Sequence, residues 1–184
     1  LLECEHQSVV LRRKPPGQLL ASDHAVDREF RLISALQHSK VPVPRPVLLC
    51  EDPDVIGSMF YLMSYESGDI FWDPALPACA PERRADYYFA LTGTLARLHT
   101  TDYRALGLTD FGKPGNYYAR QLTRWHSQYS ASATTVIPEM DALIDWLSAH
   151  LPEDDQRSCI IHGDCRLDNI IFYQSTPEIR AVLD

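Results

Sequence analysis

Residues 162–169 read H-G-D-C-R-L-D-N and lie between two short apolar runs, Cys159-Ile160-Ile161 and Ile170-Ile171-Phe172-Tyr173. Both runs are predicted to be short strands that bracket a polar loop. In that loop, Asp164 can orient an attacking hydroxyl group and accept its proton, and Asn169 can help to hold magnesium against phosphates. Because this spacing arises by chance on the order of once in a thousand chains of this length, it indicates phosphoryl transfer.

A second magnesium ligand is expected at Asp184. This residue follows the apolar run Ala181-Val182-Leu183, so it should emerge at the end of a third short strand and return to Asn169 through a hairpin. Magnesium usually takes one or two carboxylates beside phosphate oxygens and water, which is the role predicted for Asp184. His162 is expected to brace the loop by hydrogen bonding to nearby carbonyl groups, because Asp164 already supplies the carboxylate that this chemistry uses.

Residues 1–65 are predicted to form a small antiparallel sheet that carries one helix. The helix is expected to begin near Ser22 or Asp23 and to end at about Gln37. The prolines that follow force residues 41–46 into an extended connector. The strands are expected at residues 1–3, 9–11, 47–50 and 58–65.

Residues 66–184 change to a mainly helical pattern after Gly68-Asp69 and a cluster of prolines. Helices are predicted over residues 82–99, over residues 117–129 and from Pro138 onward. The first of these helices should bury one face, which is formed by Tyr88, Leu91, Leu95 and Leu98. The aromatic residues of the later helices are expected to pack the helical lobe rather than to bind a substrate. A sheet-rich first part and a helical second part predict the α+β class.

Composition and charge exclude several classes of partner. The 184 residues contain 17 Lys and Arg against 25 Asp and Glu, and this net charge of -8 argues against nucleic acid or an anionic membrane as the main partner. The five cysteines form no C-x-x-C pair, which is typical of reduced thiols in the cytosol. No apolar run approaches the roughly 20 residues that a membrane helix needs, and no export signal is visible, so a cytoplasmic location is expected.

The H-G-D-x-x-x-x-N loop, together with an aspartate after a short strand, resembles the aminoglycoside phosphotransferase and choline kinase-like family, and the similarity covers nearly the whole chain. The resemblance implies a two-lobed protein-kinase-like fold. Its N-terminal nucleotide-binding lobe would be residues 1–65, and its C-terminal helical lobe with the catalytic loop would be residues 66–184. The resemblance also implies ATP and Mg²⁺ as cofactors, Asp164 as the catalytic residue, and Asn169 and Asp184 as the metal ligands.

Within that family the chain is most similar to the branch whose kinase-like domains are fused to acyl-CoA dehydrogenases. The branch implies fusion to, or association with, an acyl-CoA dehydrogenase. The segments that carry this similarity are residues 9–17, 27–30, 41–44, 112–115 and 120–125.

By the same resemblance, Arg12 occupies the position of the strand lysine that holds the nucleotide's phosphates, with Glu29 as its ion-pair partner. The planar fork of an arginine can bridge phosphates and a carboxylate, although its geometry is not that of a lysine. The run Met63-Ser64-Tyr65-Glu66 matches the hinge that offers backbone donors and acceptors to adenine, and Met63, Ser64 and Tyr65 are the residues assigned to the nucleotide. The family's glycine-rich turn and its later helices are absent from the sequence, so the chain is expected to be truncated at both ends.

These features predict transfer of the γ-phosphoryl group of ATP to a hydroxyl group of a small molecule. The dehydrogenase-fused branch favours a hydroxylated acyl compound, such as a CoA thioester, whereas the net negative charge keeps a cationic aminoglycoside open. One alternative is a nucleotide-binding pseudokinase or assembly module without turnover. Another is a metal-dependent hydrolase that uses His162, Asp164 and Asp168 as ligands.

Overall fold

The structure is a computed structural model, and it describes residues 1–4, 7–13, 26–154 and 157–183. The chain divides into two compact units. The first unit comprises Leu1–Phe111 and Cys159–Asp184, and the second comprises Gly112–Ser158. Among the described residues, no helix is both long and apolar enough to cross a membrane.

A four-stranded antiparallel sheet opens the first unit, in the spatial order β1-β2-β4-β3. Its strands are β1 (Leu2–Cys4), β2 (Gln7–Arg13), β3 (Pro46–Cys50) and β4 (Phe60–Ser64). The central pair aligns Val10 with Met63 and Arg12 with Tyr61. The predicted small antiparallel sheet is therefore confirmed, with boundaries that differ by a few residues.

Helix α1 (Val26–Leu36) packs on two sides. One side places Val26 and Ile33 in a buried cluster with Tyr61 of the sheet. The other side places Leu36 in a separate core with Val41, Leu98, Leu108 and Ile160. The predicted caps Ser22 and Asp23 lie outside the described residues. Because α1 contributes to both cores, it connects the sheet to the helical part of the first unit.

Helix α2 (Arg84–Thr100) follows a short 3₁₀ turn at Pro81–Arg83. Its buried face is Tyr87, Leu91, Thr94 and Leu98, which corrects the predicted set. Tyr88 is 39% exposed, and its hydroxyl donates to the carbonyl of Pro74 at 2.5 Å. Both the observed and the predicted sets have helical steps of three and four, so spacing alone does not choose between them, and the packing of α2 decides which face is buried.

The second unit contains α3 (Tyr117–Ser132) and α4 (Pro138–Ala149), close to the predicted bounds. Neither helix has a buried residue within the structure. The expectation that their aromatic residues pack is wrong for the described chain, because four of them are 45–60% exposed. These four are Tyr117, Tyr118, Trp125 and Trp146.

The first unit closes with the antiparallel hairpin β5 (Ile170–Phe172) and β6 (Ile179–Val182), as predicted. The strand predicted at residues 159–161 is wrong, since these residues have no regular structure. Ile160 is buried in the core that α1 shares, whereas its two neighbours are exposed. An apolar residue can thus be buried by packing alone, without pairing its backbone in a sheet.

Candidate active site

The predicted catalytic loop is held in place by Asn169. Its side-chain Nδ2 donates to the backbone carbonyl oxygen of Asp164 at 2.9 Å, and its backbone carbonyl oxygen accepts from the N–H of Leu183 at 2.9 Å. The side chain of Asp164 is exposed. Because the side-chain nitrogen of Asn169 is engaged by the backbone of Asp164, its side-chain oxygen is the atom that could hold a cation.

Asp184, the second predicted metal ligand, lies outside the described residues and stays a prediction. Leu183 is the last described residue before it, and its hydrogen bond to Asn169 brings the end of β6 to the catalytic loop. The residue that precedes Asp184 is therefore hydrogen-bonded to Asn169, the other predicted metal ligand. An amide oxygen and a carboxylate are ligands that suit magnesium.

Arg166 and Asp168 form a forked ion pair within the loop. Nε of Arg166 lies 3.0 Å from Oδ1 of Asp168, and Nη2 lies 2.5 Å from Oδ2. Both carboxylate oxygens of Asp168 are therefore engaged by Arg166. The hydrolase alternative needs Asp168 as a metal ligand. In the part of the chain that the structure describes, no group of three or more His, Cys, Asp or Glu residues could hold a metal ion. Neither observation supports a transition-metal hydrolase.

Within the described part of the chain, His162 does not make the hydrogen bonds that were predicted for it. Both ring nitrogens are buried and have no hydrogen-bond partner among the described residues, so the expected bonds to nearby carbonyl groups are not formed. The ring lines a small cavity with Val41, Thr94 and Val182. The volume of this cavity is about 10 Å³.

Cys165 follows Asp164 directly in the loop. Burial raises the pKa of the Cys165 thiol, and the negative charge of Asp164 raises it further. The shift favours the protonated thiol, which is the less nucleophilic form of cysteine. The described cysteines that are free thiols are Cys50, Cys79, Cys159 and Cys165.

The structure brings Arg12 and Glu29 together, as predicted. Nε of Arg12 lies 2.8 Å from Oε2 of Glu29, and the two side chains are 32% and 17% exposed. The hydroxyl of Tyr61 donates to Oε1 of Glu29 at 2.7 Å. Sequence reasoning missed Tyr61, although its alternation within the predicted strand places it on one face with Met59 and Met63. Glu29 is thus fixed from two neighbouring strands.

Two arginines attach α1 to the loop at residues 107–111, which sequence reasoning also missed. Arg31 donates to both carboxylate oxygens of Asp110, at 3.0 and 2.5 Å, and to the carbonyl of Gly107 at 2.9 Å. Arg28 donates to the carbonyl of Phe111 at 2.7 Å and lies over its ring, with 4.4 Å between guanidinium carbon and ring centroid. These contacts fix the helix that carries Glu29.

In the predicted hinge, two of the backbone N–H groups expected to be available to a nucleobase are already hydrogen-bonded. The N–H of Ser64 donates to the carbonyl of Arg45 at 2.8 Å, and the N–H of Tyr65 donates to the carbonyl of Ser8 at 3.2 Å. Met63 lies within β4. Glu66 is the next residue, and its N–H has no acceptor among the described residues. Glu66, the last residue of the predicted hinge, therefore offers a backbone donor that Ser64 and Tyr65 do not.

A family model described as "APH: Phosphotransferase enzyme family" matches residues 1–184. The chain belongs to this phosphotransferase family. One relative is mouse acyl-CoA dehydrogenase family member 10, which is 49% identical over 178 residues, covering 97% of this chain. The chain spans only 17% of that protein's length, so it corresponds to one part of a longer relative. The predicted resemblance to this branch of the family is confirmed.

Solved structures give the fold. A Ralstonia eutropha JMP134 protein that was provisionally named an aminoglycoside phosphotransferase is 45% identical, with a TM-score of 0.85. The match covers 97% of this chain and 52% of that one. A mutant aminoglycoside 2'-phosphotransferase-IIIa in its GDP complex is 18% identical with a TM-score of 0.60, covering 86% and 54% of the two chains. The predicted protein-kinase-like α+β fold is therefore confirmed.

Proposed function

We propose that this chain is the nucleotide-binding and catalytic part of a kinase that transfers the γ-phosphoryl group of ATP to a hydroxyl group of a small molecule. The observation that carries the proposal is the Arg12–Glu29 ion pair, because a strand cation held by a helix carboxylate is the phosphate-binding arrangement of kinases. It lies in the same compact unit as the loop that carries Asp164 and Asn169.

Each residue of the proposed site has a separate task. Arg12 holds the nucleotide's phosphates while Glu29 and Tyr61 fix its position. Asp164 orients the acceptor hydroxyl and takes its proton. The side-chain oxygen of Asn169, together with Asp184, would hold Mg²⁺, which supplies positive charge to the phosphate oxygens when bound.

The base of the donor nucleotide is proposed to bind at the hinge. Within the proposed hinge, Met63-Ser64-Tyr65-Glu66, the N–H of Glu66 suits an acceptor nitrogen such as N1 of adenine. The solved structure of the aminoglycoside 2'-phosphotransferase-IIIa mutant is a GDP complex, so guanine nucleotides are a necessary comparison. We expect ATP to bind more tightly than GTP, because N1 of guanine carries a hydrogen and cannot accept from an N–H.

The acceptor is proposed to be a hydroxylated acyl compound, such as a hydroxyacyl-CoA. Support comes from the relative named as an acyl-CoA dehydrogenase family member, of which this chain matches one part. The same relation supports fusion to, or association with, an acyl-CoA dehydrogenase. An aminoglycoside remains the comparison acceptor, because the net charge of -8 suits a cationic substrate.

The decisive experiment measures thermal stabilisation by ATP and Mg²⁺, together and separately, and then ATP consumption with both acceptor classes. Stabilisation that needs both ligands and is lost in Asp184→Ala supports the nucleotide and metal site. Asp164→Asn should lower turnover by about 10²-fold or more while Mg·ATP still binds, since only the proton acceptor is lost. Mg·ATP binding without turnover on any hydroxylated acceptor would favour the pseudokinase alternative, and no stabilisation of a folded sample would refute the proposal.

A further inference from the structure

We propose that Ser64, Glu66 and Arg180 form a positioning network that fixes the nucleobase-binding hinge and thereby sets the preference for a purine nucleotide. This inference rests on the proposed function, because it assigns a task to residues beside the proposed nucleotide site. None of the three side chains needs to touch the base. They act through the backbone of the hinge.

The carboxylate of Glu66 is the centre of the network. Its Oε1 accepts from the hydroxyl of Ser64 at 2.6 Å, and its Oε2 accepts from Nε of Arg180 at 2.7 Å. The Ser64 hydroxyl accepts in turn from the backbone N–H of Arg45 at 2.8 Å. A continuous hydrogen-bonded chain thus runs from the start of the β3 region, through the hinge, to β6.

The ion pair at the centre is partly buried. The side chains of Glu66 and Arg180 are 19% and 32% exposed. The hydrogen bond to Glu66 raises the pKa of Arg180, and an arginine guanidinium is charged at physiological pH in any case. Removing one partner of such a pair leaves the other charge without compensation in a partly desolvated site. The hinge geometry therefore depends on the pair more than it would on an exposed one.

The segment after Glu66 is also attached to the hairpin that contains Arg180. Asp69 and Phe172 exchange two backbone hydrogen bonds, both of 2.9 Å, and the carboxylate of Asp69 accepts from the N–H of Ser175 at 2.8 Å. A Cβ at Gly68 would lie 2.0 Å from the carbonyl oxygen of Phe172, so the two backbones are in direct contact. The hinge and the β5–β6 hairpin are joined at several points.

Strand β6 connects this network to the catalytic loop. Arg180 lies within β6, and Leu183, just beyond its end, donates to the carbonyl of Asn169 at 2.9 Å. One short strand therefore holds the hinge at one point and the proposed magnesium ligand at another. A base bound at the hinge would therefore lie at a fixed distance from the proposed magnesium ligand Asn169.

The experiment compares the dissociation constants of Mg·ATP and Mg·UTP, which share ribose and triphosphate but differ in the base. The wild-type chain should prefer ATP. Arg180→Gln should reduce that preference about tenfold, the size expected when a hydrogen bond to a charged group is lost. Ser64→Ala should act in the same direction with a smaller effect, and it provides a second test if Arg180→Gln folds poorly. Arg83→Gln, which removes an exposed pair with Asp86 on α2, is the matched control and should leave the preference unchanged.

The outcomes separate the two proposals. If the wild-type chain binds neither nucleotide, the proposed function fails. If it binds both equally, or if Arg180→Gln weakens ATP and UTP by the same factor, the nucleotide site stands and the positioning network is refuted. A general loss of stability would lower both affinities and leave their ratio unchanged.

Discussion

At the scale of single residues, the loop and the strand cation could be recognised from their types and spacing. Asp164 and Asn169 lie in one hydrogen-bonded loop, and Arg12 contacts Glu29 as the resemblance implied. Tyr61 could not be assigned, because a buried tyrosine in a strand is usually part of the core. Its hydroxyl reaches Glu29 only because β2, β4 and α1 come together in the fold.

The Glu29 contacts predict the effect of removing one charge. Glu29→Gln should weaken Mg·ATP binding about tenfold, because Arg12 loses the partner that orients it toward the phosphates. Isothermal titration of the two chains measures the difference. Tyr61→Phe is the milder comparison, since it removes one hydroxyl and keeps the buried ring. Equal affinity of Glu29→Gln and wild type would show that the ion pair has no part in nucleotide binding.

At the scale of secondary-structure elements, a substitution at Gly68 tests whether the segment after the hinge and β5 are in direct contact, and a substitution at Gly93 is the comparison. Gly68→Ala should lower the free energy of unfolding by about 3 kcal/mol, because the new Cβ would collide with the backbone of Phe172. Gly93→Ala lies within α2, where a Cβ meets nothing within 4 Å, and should stabilise by about 0.5–1 kcal/mol. Denaturant titration measures both. A loss below about 1 kcal/mol for Gly68→Ala would contradict the close contact.

The attachment of α1 should depend on pH in the acid range. The hydrogen bond from Arg31 holds the pKa of Asp110 below its ordinary value. The pair therefore contributes its full stability above the ordinary carboxyl pKa of about 3.9, and the contribution is lost as pH falls through the lowered value. Asp110→Asn should melt slightly below wild type at pH 6, and the gap should close on acidification below about pH 4. A gap of the same size at pH 3 would mean that the ion pair is not its cause.

At the scale of the whole molecule, the two compact units differ in how much apolar surface they bury. Helix α2 of the first unit has four buried residues, whereas α3 and α4 of the second unit have none within the structure. Several large apolar side chains of the second unit are exposed. Those more than half exposed are Tyr118, Trp125, Val136 and Trp146. The second unit should therefore be the less stable part of this chain.

Hydrogen exchange tests this difference. Backbone amides of α3 and α4 should exchange at least about tenfold faster than those of α2, because few buried contacts oppose local opening. The measurement is made by mass spectrometry on the intact chain, with α2 as the internal standard. Protection of α4 equal to that of α2 would show that the exposed apolar face is covered in solution.

The sequence by itself determined the family, the α+β class and the candidate chemistry, because these depend on residue types at fixed spacing along the chain. The tertiary structure decided which distant groups meet: Tyr61 with Glu29, Arg31 with Asp110, and Glu66 with Arg180. It also decided that Ile160 is buried without a strand and that the Ser64 and Tyr65 amides are already hydrogen-bonded. Local periodicity carries no information on which surfaces are brought together by packing, and for that reason these contacts could not be read from the chain.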